Sequence, residues 1–455
     1  MKTKHLILTL IGFLIFCGQY VFGQISEGGI PMSFSLDIDL VKEKVPVIEM
    51  APVNTQALIE EDAKNSMDDI QRPFRFGYAI DVDIDVKKTG MKKELPNGDK
   101  LWLLKIHCPG AFSINLIYSY FRLSKGSKFF IYNEERKMIL GAFTPEVSNN
   151  PDNVFSTDLV QGNTIILEYY EPKSSNDGVI RISKVIHGYI NTFSDELGLS
   201  APCNIDVICS PIGDKWRNEQ RAITMLLVNE NTAFCTGCLV NNTQQDFKPY
   251  ILTARHCYQN YGVNSVVESI FRFLYWKPVC GSGSPSNWES IQRATIRAVY
   301  NPTDFALLEL SSTPPVSWNL FYAGWDRTTT PALNATGIHH PSGDAMKISH
   351  DSKSVIAVTF PLLSVPSGAL THWRATFDQG IVQRKSSGSP LFNQNNRIVG
   401  QLTGNQNNKC KDEDNDCFCA QVPIGEYGRF DLSWTGGGSI GSRLSDYLGP
   451  LRNTS

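Results

Sequence analysis

The sequence predicts an all-β protein in two units: a β-sandwich-like unit, then a larger unit with room for two packed β-barrels. Three observations predict it. Most apolar runs are short, rich in Ile, Val, Tyr and Phe, and bounded by Gly, Pro, Asn or Ser, which is the pattern of strands. Few segments carry a helical period. Cysteine usage changes abruptly, with one cysteine in residues 24–200 and nine in residues 201–455.

The chain begins with Lys2 and Lys4 ahead of the apolar run LILTLIGFLIFC. A charged stretch before a short apolar one is the pattern of an export signal, expected over 1–23 and cleaved near Gly23–Gln24. The run is shorter than the roughly 20 residues a membrane anchor needs. A lipoprotein cysteine at Cys17 is disfavoured, because bulky Phe16 stands where a small residue is wanted. Residues 24–70 are acidic and weakly patterned, which reads as a partly ordered arm. KLWLLKIHC, INLIYSYFRL, SKFFIYNE, NTIILEYYEP and VIRISKVIHGYI then read as sandwich strands. TFSDELGLSAP, Thr192 to Pro202, is a turn-rich connector. Strand-like runs resume with AITMLLV, CLVNN, PYILTA, SIFRFLYW, TIRAVY, FALLEL, GIVQR, RIVGQLTG and GRFDLSW. One helix is expected near the C-terminus, SRLSDYLGP, stopped by Gly449 and Pro450. The domain reading is therefore 1–23 signal, 24–200 arm plus β-rich unit, and 201–455 double barrel.

Bulk chemistry narrows the function. The chain has 455 residues, 42% hydrophobic and 19% charged, with a formal net charge of -3. That balance suits a globular protein and argues against nucleic-acid or anionic-membrane binding, which need a basic surplus. With no other span apolar enough for a bilayer, the mature protein is expected to be secreted, with no membrane contact after signal cleavage. Clustered cysteines in an exported chain read as disulfides. Cys235-Thr-Gly-Cys238 lacks a second ligand pair at zinc-finger distance, so no metal and no cofactor are expected.

Three segments of the second unit carry chemistry together. TARHC places His256 at the end of an apolar run, NPTDFALLEL places Asp304 before a buried strand, and KSSGSPLF forms a small-residue turn around Ser387. A serine hydroxyl is a poor nucleophile until an imidazole takes its proton, and a buried carboxylate fixes that imidazole's tautomer. The turn can aim the amides of Lys385 and Ser387 at one point as an oxyanion hole. The order His, Asp, Ser is that of the chymotrypsin group. No G-x-S-x-G elbow is present.

These motifs, with CNIDV, CTGCLVNN, AGWDR, IHHPSGD, GQLTG, YGRFDLSWTGGG and SRLSDYLGP, resemble the secreted bacterial lysyl endopeptidase family, a branch of the trypsin-like serine peptidases. The resemblance runs from about Cys203 to Pro450, and the upstream strands resemble the family's pro-region. It implies His256 as general base, Asp304 as its orienter and Ser387 as nucleophile, in a cleft between two chymotrypsin-like barrels. It implies the disulfides Cys235–Cys257 and Cys209–Cys280, and pairs Cys203 with a cysteine of the C-terminal group, Cys419 being the first choice. Cys238, Cys410 and Cys417 are then extra; one pair among them is open, and Cys410–Cys417 is the one that would close the acidic loop. Partners implied are protein or peptide substrates and the chain's own pro-domain, in a monomer.

Departures from the family pattern concern the oxyanion turn and the pocket. Lys385 stands where the family has Gly, and Gly is favoured there for its freedom at positive φ. The family's lysine-recognising Asp is here Gly425, with Glu426 beside it. Thr403 replaces a His and Phe377 a Trp, while Thr403 and Gly404 lie on the strand expected to pair with substrate. Lysine selectivity is therefore not implied. Two replacements for the missing charge are open, Glu426 and the acidic KDEDND stretch, although the latter reads best as a solvated turn. Asp412, Asp414 and Asp416 in that stretch are the minor alternative of a calcium loop. His339 and His340 read as structural hydrogen-bonding residues. Ser386 stands where trypsin-type zymogens have the Asp that receives a new N-terminal amine, so that ion-pair switch is not available. Rival readings are a weakened homologue that binds peptides through the same cleft, and a retained adhesion or carbohydrate-binding sandwich.

Overall fold

The computed structural model describes residues 24–36, 38–40, 42–68, 73–193, 200–285, 288–360, 365, 368–383, 385–404 and 423–449. The expected export signal, the acidic stretch 411–416 and Cys410, Cys417 and Cys419 lie outside them. The fold is mostly strand, as the alternation of apolar and polar residues requires.

Residues 47–188 form a sandwich of two sheets. One holds Lys100–His107, Thr164–Glu171, Lys128–Asn133 and Ile139–Phe143; the other holds Ser113–Arg122, Val179–Gly188 and Gly77–Asp85. The arm is more ordered than its weak pattern implies. Val47–Glu49 adds in parallel to Lys100–His107, and Thr55–Asp68 is a helix. The strand is only three residues long, too short for periodicity to register.

The first barrel is β1 (Ile223–Val228), β2 (Ala233–Val240), β3 (Tyr250–Ala254), β4 (Val266–Phe273), β5 (Glu289–Tyr300) and β6 (Phe305–Leu310). Its order is β1-β4-β5-β6-β3-β2, closed by β2 on β1. The second is β7 (Ala335–His339), β8 (Lys347–Asp351), β9 (His372–Thr376), β10 (Pro390–Asn393), β11 (Ile398–Gly404) and β12 (Ile424–Arg429). Its order is β8-β7-β10-β11-β12-β9, and a bridge between His350 and Gln379, just beyond β9, joins its ends. Two expected strands are not strands. Residues 381–383 run irregularly into the Ser387 turn, and GRFDLSW leaves β12 at Arg429 to become a helix, Phe430–Thr435. The expected C-terminal helix is a single turn, Ser445–Leu448.

The sandwich and first barrel share one core. Met225, Leu227, Phe234, Ile270, Tyr275 and Trp288 of the barrel unit pack in the same apolar cluster as the sandwich interior. Phe74–Arg75 extends the barrel sheet beside β2. At the centre of this face Arg272, 1% exposed, is ion-paired with Asp158 and lies 5.2 Å over the Trp288 ring. Such a charge is tolerated in a core only with its partner in place.

Two outcomes follow from this shared core. Residues 203–455 expressed alone should fail to give soluble folded protein, and residues 24–200 supplied in trans should rescue it; a well-folded product alone would contradict a folding role. Asp158→Ala should lower the unfolding free energy by about 3–5 kcal/mol, since it leaves the Arg272 charge buried and unpaired. Denaturant unfolding measures it.

Candidate active site

β3 ends at Ala254, and a 3-10 turn, Arg255–Tyr258, lifts His256 off the barrel. The Cys235–Cys257 disulfide ties that turn to β2. Asp304 follows another 3-10 turn, Asn301–Thr303, in the left-handed conformation (φ 55°) and opens β6. Since β6 pairs with β3, Ala254 opposite Phe305, the barrel register sets the two residues side by side. His256 Nδ1 lies 2.7 Å from Asp304 Oδ2, and the His256 amide donates to Asp304 Oδ1 at 3.0 Å. Both side chains are buried, at 3% and 1% exposure. The Asp304 turn is itself braced: Gln401 Nε2 donates to Thr303 O and Ser433 Oγ to Thr303 Oγ1. His256 Nε2 is buried and without a hydrogen-bond partner among the described residues.

Ser387 enters from the second barrel on the turn before β10 and is half-buried. Gly388 makes the approach possible. A Cβ there would lie 2.2 Å from Thr253 Oγ1, 2.3 Å from Thr236 O and 2.8 Å from Ala254 N, and its φ is +85°. No other residue fits, and the Ser387 backbone is thereby laid on the two strands that carry Cys235 and Ala254. Thr236 N donates to Ser387 O at 2.8 Å. Lys385 holds φ +74°, a conformation costing a non-glycine residue about 1–2 kcal/mol. Its Nζ donates to Ser342 O at 2.7 Å and its carbonyl accepts from Thr236 Oγ1 at 3.2 Å.

Ser386 Oγ lies 2.7 Å from His339 Nδ1, and His339 Nε2 lies 3.1 Å from Ser349 Oγ. A hydroxyl–imidazole contact thus occupies the place of the zymogen carboxylate. The start of the barrel unit also reaches this turn: the Ala201 amide donates to Gln383 Oε1 at 2.9 Å, as does Asn204 Nδ2 at 2.6 Å.

The expected pocket residues lie on β9, β11 and β12 or next to them. Phe377 and Tyr427 are buried, with ring centroids 6.5 Å apart. A Cβ on Gly425 would point at them, 2.7 Å from Tyr427 Cε2 and 3.1 Å from Phe377 Cε2. Glu426 is fully buried and paired with Arg374 on β9, whose Nε donates to Oε1 at 2.8 Å. Thr403 Oγ1 lies 3.0 Å from His372 Nε2. Arg374, His372, Thr236 and Gln383 escape sequence reading because each is one polar residue in an otherwise ordinary strand or loop; a charge within the alternating THWRAT run is the one available signal.

One described His/Cys cluster has ligand atoms within 4.8 Å of one another, Cys235, His256 and Cys257, and its two sulfurs are joined in the disulfide. Cys209–Cys280 is formed as well, while the implied partner of Cys203 lies outside the described residues.

Burial keeps the neighbouring histidines neutral. Desolvation pushes His339 down to about 3, and His340 and His372 to about 4. The unfolded chain takes up a proton on His340 near pH 6.5, and the folded chain does so only near 4. The stability this group contributes is full above about pH 6.5 and is lost as pH falls toward 4. His340→Gln should flatten the fall of unfolding free energy near pH 5 by about 1.4 kcal/mol per pH unit; parallel profiles for variant and wild type would contradict this.

Comparison with known proteins places the barrel unit. A family model for the lysyl endopeptidase C-terminal domain matches residues 197–419. The lysyl endopeptidase of Pseudomonas aeruginosa strain PAO1 is 28% identical over 253 residues, 51% of this chain, and the chain spans about half (52%) of that relative's length. Among solved structures, Rv3671c from M. tuberculosis H37Rv, a serine-to-alanine mutant in its inactive form, aligns at 12% identity and TM-score 0.31, over 47% of this chain and 83% of that one. Deg5 aligns at 12% identity and TM-score 0.31, over 42% and 83%. By its sequence matches, the double-barrel part of this chain is similar to the C-terminal domain of the lysyl endopeptidase family.

Proposed function

We propose that this chain is a serine endopeptidase, exported as a precursor, that hydrolyses peptide bonds through an acyl-enzyme on Ser387. The observation that carries the proposal is the buried His256–Asp304 pair, whose unpaired Nε2 belongs to the barrel face on which the Ser387 turn lies. With Nδ1–H donated to Asp304, Nε2 is the basic nitrogen. It takes the Ser387 Oγ proton as Oγ attacks the scissile carbonyl, then returns it to the leaving amine; water repeats the cycle on the ester. The developing oxyanion is received by the amides of Lys385 and Ser387. Substrate backbone pairs with the end of β11 at Thr403 and Gly404 as an added strand. Ser387 Oγ has no hydrogen bond to a described residue; such bonds are often long before substrate binds.

The pocket supports an uncharged P1 side chain. Gly425 brings no carboxylate, and the direction of its Cβ is filled by Tyr427 and Phe377. The Glu426 carboxylate is engaged by Arg374. A lysine ammonium desolvated without a counter-charge is costly. The sandwich supports a folding role over a plug: none of its hydrogen bonds or ion pairs with described barrel residues involves His256, Asp304 or Ser387.

A peptide-binding homologue without turnover is the second reading, favoured by the left-handed Lys385. A fluorophosphonate should label Ser387 in processed wild type and leave Ser387→Ala unlabelled, with turnover in that variant reduced about 10⁶-fold. Unlabelled wild type would favour the binding module. Cleavage of a peptide library read by mass spectrometry should show uncharged residues at P1, and dominant cleavage after lysine would overturn the pocket assignment.

A further inference from the structure

We propose that Thr236 is a positioning residue for the reaction: it holds the strained Lys385 so that the oxyanion-hole amides stay aimed. The inference rests on the peptidase reading above.

Thr236 is fully buried on β2, between the disulfide cysteine Cys235 and Gly237. Its amide and hydroxyl are used across the barrel interface, and its carbonyl within the first barrel. Its amide donates to Ser387 O at 2.8 Å. Its Oγ1 donates to Lys385 O at 3.2 Å and accepts from the His340 amide at 3.2 Å. Its carbonyl accepts from Thr253 Oγ1 at 2.7 Å. One side chain therefore ties the nucleophile turn to the strand anchored beside His256 and to the 339–344 loop.

The bond to Lys385 O is the informative one. The Lys385–Ser386 peptide is held at both ends, its carbonyl by Thr236 Oγ1 and its N–H by Gln383 O at 3.2 Å. That peptide's plane sets ψ of Lys385, and with φ at +74° it decides where the Lys385 N–H points. A glycine would occupy this conformation without help. A lysine relaxes toward negative φ unless it is restrained, and such a turn rotates its N–H away from the carbonyl site. Lys385 Nζ on Ser342 O is a second restraint on the same residue. Thr236 touches neither substrate nor reacting atoms in this arrangement, and acts through the turn.

The test uses full-length precursor processed as it is naturally, with Ser387 labelling by a fluorophosphonate and steady-state peptide hydrolysis. Thr236→Val keeps the shape and removes the hydroxyl. It should lower kcat and the labelling rate by about 10- to 100-fold, toward the loss seen when an oxyanion donor is removed, with KM little changed. Thr236→Ser should restore most of the turnover. In a Lys385→Gly background the Thr236→Val loss should shrink to less than about threefold, because glycine needs no restraint. An equal loss in both backgrounds, a rise in KM with unchanged kcat, or an unchanged labelling rate would overturn the inference. Should Thr236→Val not fold, Lys385→Met removes the Nζ bond to Ser342 O; a kcat loss of at least about threefold is expected and no loss overturns the inference. Unlabelled wild type would overturn the peptidase reading and this inference together, whereas labelled wild type with an unaffected Thr236→Val overturns the inference alone.

Discussion

The candidate site depends on one close approach, the backbone at Gly388 against Thr236 O, Thr253 Oγ1 and Ala254 N. Nothing with a side chain can sit there, so the second barrel's turn rests directly on two strands of the first. From that contact the other positions follow by short covalent and hydrogen-bonded steps. Ser387 is one residue away from it, His256 is two residues beyond Ala254, and Asp304 is set by the pairing of β6 with β3. A candidate site split between two barrels needs some such interlock, because a rotation of one barrel on the other would separate His256 from Ser387.

The first barrel is not a self-sufficient body in this chain. Its outer face, with Phe234, Tyr275 and Trp288, is completed by the sandwich, and the ion pair of Arg272 with Asp158 lies in the dry middle of that face. Phe234 also packs against Gly343, in the loop that supplies Ser342 to Lys385. The sandwich is therefore connected through packed groups to the Ser387 turn, while its polar contacts with described barrel residues leave out His256, Asp304 and Ser387.

Charge is managed sparingly around the site. His339, His340 and His372 are held neutral by burial, and Ser386 uses an imidazole where a carboxylate would otherwise need an ammonium. Glu426, fully buried, is matched by Arg374. A buried charge without a partner is expensive, and the pairs present are the affordable ones.

Much of this was legible in the sequence, for identifiable reasons. The all-β class was readable because strand alternation is a local property, and chain order put forward His256, Asp304 and Ser387 as a candidate set. The second barrel was harder: β7, β8 and β9 carry His339, Lys347 and Arg374 among their apolar residues, so their periodicity is blurred, and each of these polar groups has a partner far along the chain. Residues 381–383 and the Phe430–Thr435 helix misled for the converse reason, since apolar residues there serve a packing face without being strand. By itself, then, the sequence determined the fold class, the family resemblance and which residue types could do acyl-transfer chemistry. Only the tertiary structure decided that Lys385 is held left-handed by Thr236, that Glu426 is already paired and that the sandwich completes the barrel's core, because each is a contact between segments whose separation in sequence carries no periodic signal.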